Sequence, residues 1–191
     1  MNKYFDTLYD WWKNIDKSIF FIISILFVLG LFFSLVSTSI IASDKLNTNS
    51  YYFFLKHLTF VTLGIFIIFL FSLLNQKLLI NISVILFLLA FVSLFLVPLI
   101  GVEVKGSKRW LDIGLLPRFQ PIETLKPFFI IAISLILSLD KKNLNFKYLL
   151  SSIILIPIII LLLSQPDLGQ TLLIISVWLA IIFVSGINLL L

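Results

Sequence analysis

LTFVTLGIFIIFLFSLLNQKLLINISVILFLLAFVSLFLVPLI, residues 58–100, holds two apolar runs joined only by Asn75-Gln76-Lys77. A bilayer core of roughly 30 Å takes about 20 helical residues, with about 17 to 25 tolerated. Leu58 to Leu74 and Leu78 to Ile100 both fall in that window, with Asn81 near one end of the second run and Pro98 near the other. A link this short makes the two helices a tight antiparallel hairpin. Nothing in the run alternates in the ten-residue manner of a membrane barrel strand.

Working outward, Ile19 to Ile41 is an earlier span, and Lys56 and His57 lead into the one at Leu58. The next span is less obvious. Pro127 to Leu139 is unbroken apolar sequence, but at about 1.5 Å per residue it falls short of the core thickness. The helix must therefore borrow from Gln120-Pro121-Ile122-Glu123-Thr124-Leu125-Lys126. Pro121 suits the first helical position, where its missing N–H has no partner to lose. Gln120 is then a modest cap, and Glu123 lies near the positive end of the helix dipole. Glu123 and Lys126 fall three apart on one face, and Pro127 is expected to bend the helix early. Tyr148 to Leu163, with a kink expected at Pro157, and Thr171 to about Asn188 complete the set. The expectation is an all-α polytopic helix bundle with six transmembrane helices, near 19–41, 58–74, 78–100, 121–139, 148–163 and 171–188. Residues 1–191 read as a single membrane domain.

Composition agrees. The chain is 61% hydrophobic and 12% charged, against about 25% charged in a soluble domain. The absence of Cys excludes disulfides and Cys-ligated zinc, and the single His57 argues against a His cluster or a Ser-His triad. The net charge of +5 suits short basic loops and not nucleic-acid binding, since no basic run interleaves with exposed aromatics. The first eighteen residues, MNKYFDTLYDWWKNIDKS, mix acids, bases and aromatics and do not resemble a signal peptide. Tyr9, Trp11 and Trp12 are expected at headgroup level. Counting crossings, the fourteen basic residues divide seven and seven between the two faces. With residues 101–126 set aside as functional the division is seven against two, which puts the N-terminus and Asp140-Lys141-Lys142 in the cytoplasm.

Residues 101–127, GVEVKGSKRWLDIGLLPRFQPIETLKP, concentrate eight of the twenty-three charged residues on the outer face. Lys108-Arg109-Trp110 stands out, with Gly106 and Gly114 permitting tight turns around it. An arginine offers a planar fork of donors for phosphate oxygens, and a tryptophan a face for a sugar or a place in the interfacial belt. The simpler alternative pairs Arg109 with Asp112 or Glu103. Asp167, in Ser164-Gln165-Pro166-Asp167-Leu168-Gly169-Gln170, reaches the same face, as a cap for the last helix or as a partner for Arg109 or Lys126. Asn81 is expected to bond a neighbouring helix.

KGSKRWLDIG, then RFQPIETLKP, then SQPDLGQT after two apolar spans, closely resembles the SEDS family of bacterial cell-wall polytopic proteins (FtsW, RodA, SpoVE). WWKNIDKS, SLVSTSIIAS and GVEVKGSKRW lean toward the division branch. Ile122 departs from the pattern, since the family usually has Ser in a Gln-Pro-Ser-Glu run. The resemblance implies a bundle of about ten helices, each of about 20 residues, of which six are expected here. It also implies the inner membrane and polymerisation of lipid II, an undecaprenyl-pyrophosphate-linked disaccharide-peptide. The partners it implies are a class B penicillin-binding protein and other division proteins, and no nucleic acid. Such a polymerase needs an acidic group to deprotonate the acceptor hydroxyl and cations to stabilise the departing pyrophosphate. By the same resemblance the acidic group lies in an outer loop after a seventh helix, so no catalytic residue is assigned and the segment alone is expected to be inactive. Arg109 leads the substrate-binding candidates, followed by Lys108, Lys126 and Trp110, with Gln120, Glu123 and Asp167 in support. No cofactor is identifiable, and a divalent cation is left open. Two further readings remain, a lipid II flippase and a non-catalytic partner of the penicillin-binding protein. A flippase predicts inverted repeats relating two halves, and none is detected in this portion.

Overall fold

The computed structural model describes residues 9, 11–46, 51–104, 106–114, 117–139 and 143–186. The expected cytoplasmic Asp140-Lys141-Lys142, Lys105 and the end of the last span from residue 187 lie outside the described residues. The chain divides into two units, Met1–Asn75 and Gln76–Leu191.

The first unit is a pair of helices, α1 (Lys17–Leu46) and α2 (Tyr52–Ser72). Asp16 starts α1: its Oδ1 accepts from the backbone N–H of Ser18 at 2.9 Å and of Ile19 at 3.1 Å. Those N–H groups would otherwise have no partner at a helix start. Before it, Trp11 donates from Nε1 to Ser72 Oγ at 2.7 Å and sets its ring edge-on to Phe69, centroids 5.0 Å apart. This fastens the aromatic pre-span segment to the end of α2. No residue of α2 is buried, and its exposed apolar residues, among them Leu55, Leu63, Phe66 and Ile67, present a hydrocarbon surface.

The second unit holds α3 (Gln76–Ile100), a two-stranded hairpin β1 (Val102–Val104) and β2 (Ser107–Trp110), α4 (Pro121–Leu137), α5 (Leu144–Ser164) and α6 (Leu168–Val184). Along α3 the buried residues are Ser83, Phe87, Ala90, Leu94 and Val97, alternately four and three apart. That spacing marks one stripe of a helix packed along a neighbour. The facing stripe on α4 is Ile122, Leu125, Phe129 and Ile133, and α5 and α6 add Leu155, Ile158, Leu162 and Ile174 to the same core. The other sides of α3 stay apolar and exposed at Ile85, Leu88, Leu89 and Val92, as a lipid-facing surface requires. Ile122 is fully buried. In the position where the resemblance leads one to expect a hydroxyl, this chain packs a hydrocarbon side chain into the core.

The bundle is all-α and polytopic. Among the described residues four helices, α1, α2, α3 and α5, are long and apolar enough to cross a membrane. Helices α4 and α6 have 17 residues each, about 26 Å of helix. Pro121 opens α4, and α4 and α5 continue through Pro127 and Pro157.

Residues 101–111, expected as a loop, contain the hairpin. Helix α3 ends as Gly101 N–H closes on the Val97 carbonyl at 2.8 Å, and a Cβ at Gly101 would run into that same carbonyl. Just before β2, Gly106 takes φ 82°, in the left-handed region where glycine is favoured.

Candidate functional site

Arg109 owes its position to an irregularity in the hairpin. Val104 pairs with Ser107 and Glu103 with Lys108, but Val102 pairs with Trp110. Arg109 is therefore the extra residue of a β-bulge, left without a partner opposite. Bulges bend a strand and re-aim a side chain. Here the guanidinium reaches across 56 residues of sequence to the turn between α5 and α6. Nε donates to the Gln165 carbonyl at 3.2 Å and Nη2 to the Pro166 carbonyl at 2.6 Å, while Nη1 stands 3.6 Å from Asp167 Oδ2. All three nitrogens thus face acceptors of one turn, which the rigid fork of an arginine suits.

Asp167 serves two of the expected purposes at once. It is the N-cap of α6, with Oδ1 accepting from Gln170 N–H at 3.4 Å, and it pairs with Arg109 through Oδ2. Gln120 Nε2 donates to the same Oδ2 at 3.2 Å. Gln120 does occupy the N-cap position of α4, but its side chain caps nothing there. Its amide is spent across the bundle, tying the start of α4 to the start of α6. Asp167 is 7% exposed, and a carboxylate so enclosed needs these donors. Beside it the Gln165 side chain is buried, and its Nε2 has no hydrogen-bond partner among the described residues.

Glu123 and Lys126 do share a face of α4, with Lys126 Nζ 2.7 Å from Glu123 Oε2. A third member closes the group. Gln170 Nε2 donates to Glu123 Oε1 at 2.7 Å, and Gln170 Oε1 accepts from Lys126 Nζ at 3.0 Å. Lys126 thus pairs within this ring and not with Asp167. Gln170 is the residue that sequence reasoning missed. The available signal was its place three residues after the capping Asp167, where a capping box puts Glu or Gln.

Lys108 is exposed, faces Glu103 across the hairpin, and has no side-chain partner among the described residues. Trp110 is half-buried beside Val102. Asp112 pairs with Arg118 at 2.9 Å, not with Arg109, and also accepts from Gly114 N–H at 3.1 Å. The Arg118 hydrogen bond first, then the Gly114 N–H, holds the Asp112 carboxyl below its ordinary value. Gly114 takes φ 76° to make that turn. His57 is exposed in α2, and Asn81, expected to bond a neighbouring helix, is exposed on α3 with no side-chain partner among the described residues.

The family model described as a cell cycle protein, FtsW/RodA/SpoVE, matches residues 16–191. A probable peptidoglycan glycosyltransferase FtsW of Wigglesworthia glossinidia brevipalpis is 32% identical over 177 residues, 91% of this chain and 46% of the relative. The corresponding protein of Xanthomonas oryzae pv. oryzae is 30% identical over 168 residues, 83% of this chain and 34% of the relative. The chain therefore spans less than half the length of these curated relatives. Among solved structures, the rod shape determining protein RodA of Thermus thermophilus superposes with a TM-score of 0.65 at 26% identity, covering 83% of this chain and 54% of that one. A chain of a peptidoglycan synthase complex that coordinates polymerization and crosslinking gives 0.63 at 26% identity, covering 83% and 47%.

Proposed function

The chain belongs to the FtsW/RodA/SpoVE family of cell cycle proteins, and on that premise we propose that the full-length protein carrying it is a peptidoglycan glycosyltransferase. It polymerises lipid II during cell division, together with a class B penicillin-binding protein. The names of the curated relatives support the activity, and the likeness to a synthase complex supports the partnership. The charged cluster lies on the external face and the N-terminus in the cytoplasm, a reading supported by the distribution of basic residues outside 101–126.

The observation that carries the reading is the convergence of three separated motifs at one end of the second unit. Arg109 holds the Gln165–Asp167 turn, Gln120 holds Asp167, and Gln170 joins Glu123 to Lys126. A lipid-linked pyrophosphate presents its charge at the boundary between lipid and water, where cations at the mouth of a bundle meet it. When the sugar–phosphate bond breaks, negative charge grows on the departing pyrophosphate, and cations already in place stabilise it without reorganising. Lys108 and Lys126 contribute that charge, Trp110 offers a face to the sugar, and Arg109, Gln120, Glu123 and Asp167 hold the frame. No residue between 1 and 191 is assigned as the base for the acceptor hydroxyl.

The test is the full-length protein with labelled lipid II, in detergent and in proteoliposomes. Glycan strands are the expected product. Transport of lipid II between leaflets without polymer would replace the proposal by a flippase. Neither activity, with the penicillin-binding protein still bound, would leave a non-catalytic partner.

A further inference from the structure

We propose that Gln170 is a positioning residue that fixes the Lys126 ammonium for a polyprenyl pyrophosphate by closing a hydrogen-bonded ring between α4 and α6. The inference rests on the reading of Lys126 as a phosphate ligand. Both carboxylate oxygens of Glu123 are occupied, Oε2 by Lys126 at 2.7 Å and Oε1 by Gln170 Nε2 at 2.7 Å. Gln170 Oε1 then accepts from a second N–H of Lys126 at 3.0 Å. An ammonium has three N–H groups, so one is left. Two of its directions are fixed by groups on different helices, and the third is fixed with them.

Residue chemistry makes position 170 demanding. Its side chain must accept from a cation and donate to an anion at once. An ionised carboxylate accepts only, and lysine or arginine donates only. A primary amide does both, and Gln170 starts from the first turn of α6, where Asp167 has already bonded its backbone N–H. Without Gln170, Lys126 keeps Glu123, its neighbour on the same helix, but swings about that single contact. The Lys126 side chain is 21% exposed, enough for a ligand oxygen to reach the remaining N–H.

The experiment measures binding of undecaprenyl pyrophosphate to the full-length protein in nanodiscs, so its result does not depend on whether the protein polymerises lipid II. Gln170→Leu, Lys126→Met and the double variant are compared. Losing a fixed charged donor weakens binding by about tenfold. Gln170→Leu is expected to raise Kd by that factor in the parent and to change nothing further in the Lys126→Met background. Multiplying effects in the double variant would overturn the proposal, as would an unchanged Kd in Gln170→Leu beside a raised one in Lys126→Met. An unchanged Kd in Lys126→Met would sink the ligand reading itself, and the inference with it. Should Gln170→Leu fail to accumulate in membranes, Gln170→Met keeps an unbranched side chain of similar length, with no donor for Glu123 and only a weak acceptor for Lys126. The same pair of backgrounds then decides.

Discussion

Arg109→Ala separates two readings of the most prominent cation in the charged segment. As a clamp, its guanidinium gives hydrogen bonds to the Gln165 and Pro166 carbonyls at 3.2 and 2.6 Å and stands 3.6 Å from Asp167. Hydrogen bonds from a charged donor contribute about 1.5–3 kcal/mol each. The Arg109 side chain is 32% exposed, so solvent screening argues for the low end, about 3 kcal/mol for the two together. At about 1.4 kcal/mol per factor of ten, the hairpin should separate from the α5–α6 turn about 150 times more often. Arg109→Lys keeps the charge but not the fork whose separated nitrogens each reach a different acceptor, so a compact ammonium should hold only part of the set. It should recover about half of that free energy, leaving roughly tenfold more opening. Hydrogen exchange of the full-length protein in nanodiscs reads this directly, in peptides covering 102–111 and 164–168. Membrane insertion should be unchanged, because the contacts lie outside the apolar stripes. Unaltered protection of both peptides in Arg109→Ala would refute the clamp. If binding of lipid II were lost in that same variant, Arg109 would be a direct ligand.

Two further outcomes follow from the same face. Asp112 has its carboxyl held below the ordinary value of 3.8 by Arg118 and Gly114. A lowered folded value means that the turn is stabilised at higher pH and loses this contribution as pH falls from 3.8 through the folded value. The Gly114 amide should therefore lose exchange protection in that acidic window, and Asp112→Asn should lack the pH step; a step that survives in Asp112→Asn would refute the assignment. Lys108 is exposed without a side-chain partner among the described residues, so a thiol placed there by Lys108→Cys should react with a membrane-impermeant maleimide added to intact spheroplasts. Labelling only after the membrane is permeabilised would put the cluster on the inner face and end the proposed function.

How much of this could be read beforehand depended on whether the contacts were local. Helix α4 was legible because the apolar run from Pro127 was too short to span and Pro121 fits a first helical position; the helix begins at that residue. The Glu123–Lys126 pair follows from a three-residue spacing, and the two turn glycines adopt positive φ. The hairpin was hidden. Strands of three and four residues carry little alternation, and a bulge shifts register without leaving a pattern in composition. The direction of Arg109 depends on that bulge and on an acceptor 56 residues away. Gln170 was hidden for a related reason. Its own helix explains it as an ordinary capping-box residue, and only the approach of α4 shows that its amide is used elsewhere.

The pairings also rank the cations as ligands, and not in the order suggested by the sequence. Arg109 stands against Asp167, Arg118 against Asp112 and Lys126 against Glu123. An anion arriving at Arg109 meets a guanidinium already turned towards two carbonyls and standing 3.6 Å from the Asp167 carboxylate, so even its remaining N–H groups sit beside a charge that repels the anion. At Lys126 it meets an N–H that no described residue occupies, and at Lys108 an ammonium with the exposed Glu103 opposite. Direct contact should therefore fall to the two lysines, while Arg109 keeps the surface on which they stand. On that argument Lys126→Arg costs more than Lys108→Arg in affinity for the pyrophosphate. A bulky fork does not fit the closed ring with Glu123 and Gln170, whereas an exposed strand position accepts either cation. Equal affinities in the two variants would show that the ring does not constrain its lysine.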